Sequence, residues 1–259
     1  MDVDKYGNLD STKVIKFLKN ETFFKNNFTI NKKTKKKIKA VIIVHVFGNI
    51  SNYETMIKLC KKRKIKVIED ASESLGSYFL FNKKRKHSGT YGDIGCISFN
   101  ANKVITTGSG GAIITNNKKL FKRALYLSTQ AKDDPIKFIH NDVGYNIKLN
   151  NLSAAIGLGQ LENFKDILKK KKKIFEFYRK NINKLNNFEI LSPSIRCQPN
   201  YWINILKIKS KKKYKLNDIL DFFFKNEIQV RPIWYPNHLQ IKMKNFQKYE
   251  LRNFKNFHD

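Results

Sequence analysis

Three short segments carry residue types able to do chemistry. The first is Glu69-Asp70, two carboxylates closing the apolar run Lys66-Val67-Ile68. Strand C-termini in open α/β sheets face the ligand crevice, and a carboxylate there can hold a cationic or protonated ring nitrogen. The same carboxylate could instead cap the next helix. The second segment is Ser98-Phe99-Asn100-Ala101-Asn102-Lys103, which runs on into Thr106-Thr107-Gly108-Ser109-Gly110-Gly111. A lysine between a buried strand and a glycine-rich turn differs from a solvated surface lysine. Burial and neighbouring cations can free such an amine to attack a carbonyl. The glycines let backbone pass close to a bound group. They do not make a dinucleotide loop, because position 113 is Ile and a strand follows in place of a helix. The third segment is Gly144-Tyr145-Asn146 with Asn150-Asn151-Leu152-Ser153, which unaided reads as a turn and a helix N-cap.

The elements that must position these residues read as an α/β pattern. Ala40-Val41-Ile42-Ile43-Val44-His45-Val46 is apolar and β-branched, the signature of a parallel strand buried on both faces. Ser51-Asn52-Tyr53-Glu54 has the S-x-x-E form of a capping box. Tyr53, Met56, Ile57 and Cys60 follow at helical spacing, and Lys66 to Glu69 reads as the next strand. Residues 40–70 therefore predict a βαβ unit with a right-handed crossover. Further strands are expected over 94–99 and 112–115, and helices from Asn116-Asn117, from Ser153, and from Glu162 to Asn187. Pro193 and Pro199 mark a boundary, followed by strand 202–208, helix 217–225 and strand 228–231, a small second α/β unit. The first 30 residues show no strong period.

Composition narrows the function classes. The 259 residues hold 52 Lys plus Arg against 21 Asp plus Glu, a net charge of +31. Such a charge suits phosphate counterion release on nucleic acid. Yet only 7 of the 52 are Arg, the residue for bidentate phosphate and base recognition, and no RNP, helix-turn-helix or zinc-finger pattern is present. Abundant Lys, Asn, Ile and Phe follow from A/T-rich codons without any selected partner. The 20 Phe and 11 Tyr exclude a disordered polyelectrolyte. No apolar run reaches the roughly 18 residues of a membrane helix. The polar start Met1-Asp2-Val3-Asp4-Lys5 lacks a secretory apolar stretch, so a cytoplasmic protein is expected. Cys60, Cys96 and Cys197 are odd in number and far apart, which indicates neither a disulfide framework nor a metal site.

Taken together, the segments VHVFGN (44–49), VIEDASESLGS (67–77), GDIGCISFNANKVITTGSGGAIITNN (92–117), GYNIKLNNLSAAIGLGQLE (144–162) and VRPIWYPNHLQ (230–240) resemble the DegT/DnrJ/EryC1/StrS sugar aminotransferases, in family order and with compatible spacing. STQAKDDPIKFIHNDVGYN and RPIWYPNHLQ look most like the branch acting on UDP-linked 4-keto-6-deoxy-N-acetylhexosamines in nonulosonate and bacillosamine-type pathways. The resemblance implies an aspartate-aminotransferase-like fold of PLP fold type I. Residues 1–190 would form the pyridoxal-phosphate-binding large domain with its mostly parallel sheet and connecting helix, and 191–259 a small α/β domain. It implies that Lys103 binds pyridoxal phosphate covalently and later moves a proton between the donor's α-carbon and the cofactor. Asp70 matches the carboxylate paired with the pyridinium nitrogen, and Ser98 a phosphate ligand. Glu73 stands where the family carries a polar residue, often Gln or His, near the ring. Asn146 matches a residue that reaches the cofactor phosphate of a neighbouring subunit, which implies a homodimer with shared sites. His45, Arg231, Trp234 and His238 lie in motifs near the substrate. Glutamate is the usual amino donor and a nucleotide-linked keto-sugar the acceptor.

The same resemblance points to departures. Family members carry a Ser-Gly-Thr-type helix start for the phosphate and a ring-stacking aromatic before the segment matching Asp2-Val3-Asp4, and a closing strand and helix beyond the segment ending at Asp259. The chain thus reads as a fragment with large-domain faces left bare. Three alternatives follow: an inactive remnant, a basic nucleic-acid binder, or a dehydratase. Some members of the family replace the lysine with His, so Lys103 speaks for amino transfer.

Overall fold

In a computed structural model, residues 1–81, 83–210 and 213–253 are described. Helix α1 (Ser11–Asn20) begins where the Asp10 carboxylate accepts the backbone N–H groups of Thr12 and Lys13. Val14 and Leu18, one turn apart, are its buried face. Strands β1 (Thr22–Lys25) and β2 (Phe28–Asn31) pair antiparallel around Asn26 and Asn27, whose φ values are 50° and 61°. A two-residue turn with both φ positive matches the twist of a hairpin. The first 30 residues are therefore a capped helix and a hairpin, not a patternless lead-in.

Strand β3 (Ala40–Val44), helix α2 (Glu54–Lys62) and strand β4 (Lys66–Asp70) form the expected βαβ unit. Met56 and Cys60, both fully buried, are on the face of α2 that the spacing predicts. The capping box is not made. Tyr53 occupies the cap without a side-chain bond, and the Ser51 hydroxyl bonds Asp4 instead. Strands β5 (Tyr78–Phe81) and β6 (Lys84–His87) are a hairpin beside the main sheet. Strand β7 (Ile94–Ser98) runs parallel to β4, and β8 (Gly111–Ile114) closes the order β3-β4-β7-β8 antiparallel to β7.

Helix α3 (Lys118–Ser128) starts at Asn117, whose side chain accepts two N–H groups of its first turn. A short hairpin, β9 (Lys132–Asp134) and β10 (Ile139–His140), follows. The two helices expected from Ser153 and over 162–187 are α4 (Asn151–Glu162) and α5 (Phe164–Ile182), which meet at Asn163; the second ends five residues sooner than expected. Strand β11 (Phe188–Ile190) pairs with β13 (Leu206–Ile208), while β12 (Cys197–Gln198) returns to pair with β5. These pairings tie together residues on both sides of position 190. Strand 202–208 shrinks to β13 because Asn200 and Trp202 drop into the body and are buried there. After helix α6 (Leu216–Lys225), residues 228–231 form no strand; the Ile228 N–H is taken by the Phe223 carbonyl at the helix end.

Among the described residues, the sheet is closed on one face and largely open on the other. Side chains alternate along a strand, and the register sorts them into two sets. Val41, Ile43, Val67, Glu69 and Ile97 share one face, where Ile43 and Val67 join Val14, Leu18, Met56 and Phe79 in the core. Ile42, Ile68, Asp70, Cys96, Ser98 and Ile113 share the other. There Ile42 is 61% and Ile113 58% exposed. The expectation of burial on both faces fails because α1 and α2 both pack on the same side.

Candidate active site

The alternation separates two carboxylates that are neighbours in sequence. Glu69 points into the core and is fully buried. It accepts the N–H groups of Gly89 (2.9 Å), Tyr91 (2.6 Å) and Gly92 (2.6 Å), and lies 2.7 Å from His45 Nε2. An acceptor-only carboxylate requires that Nε2 carry the hydrogen. Asp70 emerges on the open face at the end of β4, opposite Cys96 and on the face of Ser98. Its Oδ1 accepts only a local bond, from Ser72 N–H at 3.1 Å. The capping role considered for the Glu69-Asp70 pair is not used, since no helix follows; a loop of tight turns, Ser74 N–H to Ala71 O and Ser77 N–H to Ser74 O, does.

That loop brings Glu73 to the Lys103 loop. A small cleft is lined by Ser72, Glu73, Ser98, Lys103 and Asn200. Glu73 accepts the Phe47 N–H at 2.8 Å. Burial pushes its carboxyl above the ordinary glutamate value of 4.5, opposed by the Phe47 bond and the Lys103 charge and reinforced by Asp70. Phe47 itself sits at φ +61°, unusual for an aromatic residue, and stacks on Trp234 at 5.0 Å. Gly48 follows at φ +75°, and a Cβ there would lie 1.9 Å from Asn200 Oδ1, so glycine lets this short turn after β3 meet the buried Asn200.

Lys103 is held by its neighbours in the chain. The loop closes through Phe99 N–H to Gly110 O (2.9 Å) and Thr107 N–H to Phe99 O (3.0 Å). Val104, Ile105 and Thr107 are buried next to it. Gly110, at φ +110°, lets the turn back into β8 pass. The Lys103 amine lies 4.4 Å from the centre of the Trp202 ring.

The fold brings Asp70, Glu73, Ser98 and Lys103 to one place. Trp234 reaches its edge, stacked on Phe47 and parallel to Trp202, but His45, Asn146, Arg231 and His238 lie elsewhere. His45 is fully buried in the core with Glu69 as its partner, so it offers no surface to a substrate. Asn146 is exposed on the loop before α4, bridged to Thr129. Arg231 is exposed on an irregular segment. His238 lies in a short turn, and its charged neighbours are Lys248, the N-terminus and Asp2, none of which lines the cleft. Asn200 and Trp202 are site residues that pattern reading passes over. Their signal was slight: a polar residue and a large aromatic just after Pro199, inside a run read as strand.

A mainly parallel sheet with a lysine loop after its third parallel strand and a carboxylate at the end of the second defines the class. The chain has the fold of the type I pyridoxal-phosphate-dependent sugar aminotransferases. It belongs to the DegT/DnrJ/EryC1/StrS aminotransferase family, whose profile matches residues 13–259. It is 36% identical over 235 residues to the GDP-perosamine synthase of Escherichia coli O157:H7, covering 90% of this chain and 62% of that one. Helicobacter pylori PseC, an aminotransferase of pseudoaminic acid biosynthesis, superposes with a TM-score of 0.84 at 24% identity, over 99% of this chain and 65% of that one. The E. coli GDP-4-keto-6-deoxy-D-mannose-3-dehydratase with bound hydrated PLP gives 0.76 at 21% identity, over 93% and 61%. The chain therefore spans less than two thirds of the length of these proteins. The cleft offers an amine at Lys103 and a hydroxyl at Ser98, with the Asp70 carboxylate at the adjoining strand end, groups whose chemistry would suit the aldehyde, phosphate and ring nitrogen of pyridoxal phosphate.

Proposed function

We propose that the chain carries the catalytic centre of a pyridoxal-phosphate-dependent aminotransferase that moves an amino group from an amino-acid donor such as glutamate to a nucleotide-linked 4-keto-6-deoxy sugar. The observation that carries this reading is the shared cleft of Glu73, Ser98 and Lys103 with Asp70 at the adjoining strand end. Bound there, the cofactor would supply the electron sink for amino transfer. The Asp70 charge would keep its ring nitrogen protonated, the Ser98 hydroxyl would orient its phosphate, and the Lys103 amine would take and return the proton at the donor's α-carbon. Because a dehydratase shares the fold, the fold does not select the reaction. The lysine at 103 supports amino transfer, since some dehydratases of the family would carry His there.

Helix α4 supports a homodimer. Its apolar residues, Leu152, Ile156, Leu158 and Leu161 among them, are spread around the helix rather than gathered on one side, and none is buried, with Leu152 76% exposed. A helix of that kind belongs inside an assembly. Asn146, on the loop leading into it, would then enter the neighbouring subunit's site. Arg231 would meet the anionic nucleotide. The three cysteines are unpaired, which suits the reducing cytoplasm. No described helix is long and apolar enough to cross a membrane.

Borohydride reduction in the presence of pyridoxal phosphate, followed by peptide mass mapping, tests this reading. A cofactor adduct concentrated on Lys103 and lost in Lys103→Ala is the expected result. Labelling spread equally over surface lysines in both proteins would reject it.

Glu73 gives a pH test. Its raised value means that the charged carboxylate opposes folding. Wild-type stability is unaffected by this group below its unfolded value near 4.5 and declines as pH rises through the higher folded value. Glutamine still accepts the Phe47 N–H without the charge. Glu73→Gln is therefore expected to melt above wild type at pH 7, with the gap closing towards pH 4. Melting curves across that range check it, and a gap that widens on acidification would contradict the assignment.

A further inference from the structure

We propose that Trp202 is a positioning residue for Lys103, holding its amine at the cleft by two separate contacts. This inference rests on reading Lys103 as the residue that reacts with the cofactor. The first contact is to the backbone. The indole Nε1–H donates to the Asn102 carbonyl at 2.7 Å, in the peptide that leads into Lys103. The second is to the side chain, through the 4.4 Å approach of the Lys103 amine to the ring. A cation over an indole face is attracted by the ring quadrupole, more strongly where water is kept off, and Trp202 is only 6% exposed.

The indole is itself fastened. The Trp202 N–H donates to Asn200 Oδ1 at 3.0 Å, and its carbonyl accepts from Lys171 Nζ at 3.3 Å. Asn200 is fully buried, and its Nδ2 donates to the carbonyls of Glu73 (2.8 Å) and Leu75 (2.9 Å). Its own N–H donates to Ser77 Oγ at 2.9 Å. Trp234 lies nearly parallel to the Trp202 ring, at 12° and 6.5 Å. One side of the ring's support is thus the loop that carries Glu73, and the other is the loop that carries Lys103. A lysine on a loop loses side-chain freedom when ordered. A fixed ring that takes its charged end selects the rotamers directed at the cleft before any ligand arrives.

Two substitutions separate the contacts. Trp202→Phe keeps an aromatic face and loses the N–H, whereas Trp202→Leu loses both. The amine is read without cofactor, by competitive reductive methylation with trace formaldehyde and peptide mapping against the surface lysines. Lys103 is expected to label roughly fivefold faster in Trp202→Leu than in wild type, with Trp202→Phe returning most of the way. Cofactor trapping on Lys103 should fall by a similar factor in Trp202→Leu and recover in Trp202→Phe. Labelling of Lys103 equal in Trp202→Leu and wild type, or equal in the two variants, would overturn the proposal. If Trp202→Leu does not fold, Trp234→Phe leaves Trp202 as the sole tryptophan of the chain's two. Lys103→Met in that background should then shift the Trp202 emission, and an unchanged spectrum would overturn the contact. Methylation and fluorescence effects without any cofactor adduct on wild-type Lys103 would leave the positioning standing and reject the aminotransferase reading.

Discussion

Asp70→Asn is expected to lower kcat/KM for amino-group transfer by about 10²–10³-fold, the cost of removing one preorganised charge from a reacting centre. Stability should barely move, with Tm within about 2 °C of wild type. The fold asks little of Asp70: it is half-buried on the open sheet face, and its bond from Ser72 N–H can equally be accepted by an amide oxygen. What asparagine cannot supply is the negative charge that, on the proposed reading, would keep a ring nitrogen protonated. Steady-state kinetics with a nucleotide keto-sugar, beside the absorption spectrum of the bound cofactor, measure this. A variant that keeps its rate within threefold, with an unchanged spectrum, would show that Asp70 is not the ring-nitrogen partner.

The adjacent residue should behave in the opposite way. Glu69→Ala is expected to cost about 3–5 kcal/mol of stability, as breaking a buried charged network does. At this chain length that is a Tm loss of about 6–20 °C. The deletion would strand three backbone N–H groups, of Gly89, Tyr91 and Gly92, together with His45 Nε2 in the core. Glu69→Gln should cost less, because its oxygen still accepts while its NH2 faces donors. Denaturant melts of both variants give the comparison. A Glu69→Ala protein as stable as wild type would mean that the network is satisfied by water and that the sheet end does not depend on it.

Local chemistry made much of the site legible. Lys103 could be singled out from many lysines because a buried strand precedes it and glycines follow, and that order is written in consecutive residues. The α2 face was legible for the same reason, since Met56 and Cys60 stand one helical turn apart. Short signals were harder. Asp10 before Val14 and Leu18, and Asn26-Asn27 between Thr22-Phe23-Phe24 and Phe28-Thr29-Ile30, specify a helix and a hairpin in elements too brief for a period to emerge. The capping box failed for a tertiary reason, because Ser51 found Asp4. The strand expected over 228–231 failed because a strand needs a partner, and the Ile228 N–H found the end of α6 first.

The sequence by itself determined the family, the βαβ frame and the order carboxylate, serine, lysine along it, because each rests on residues close together in the chain. Only the tertiary structure decided which of two adjacent carboxylates serves the core and which the cleft. Alternation separates Glu69 from Asp70, but the packing of α1 and α2 determines which face is closed. Only the tertiary structure, too, placed Trp202 on Lys103, two residues almost a hundred positions apart. A hydrogen bond and a ring contact at that separation leave no periodic trace in sequence. They exist because β12 returns to β5 and carries Asn200 and Trp202 into the body.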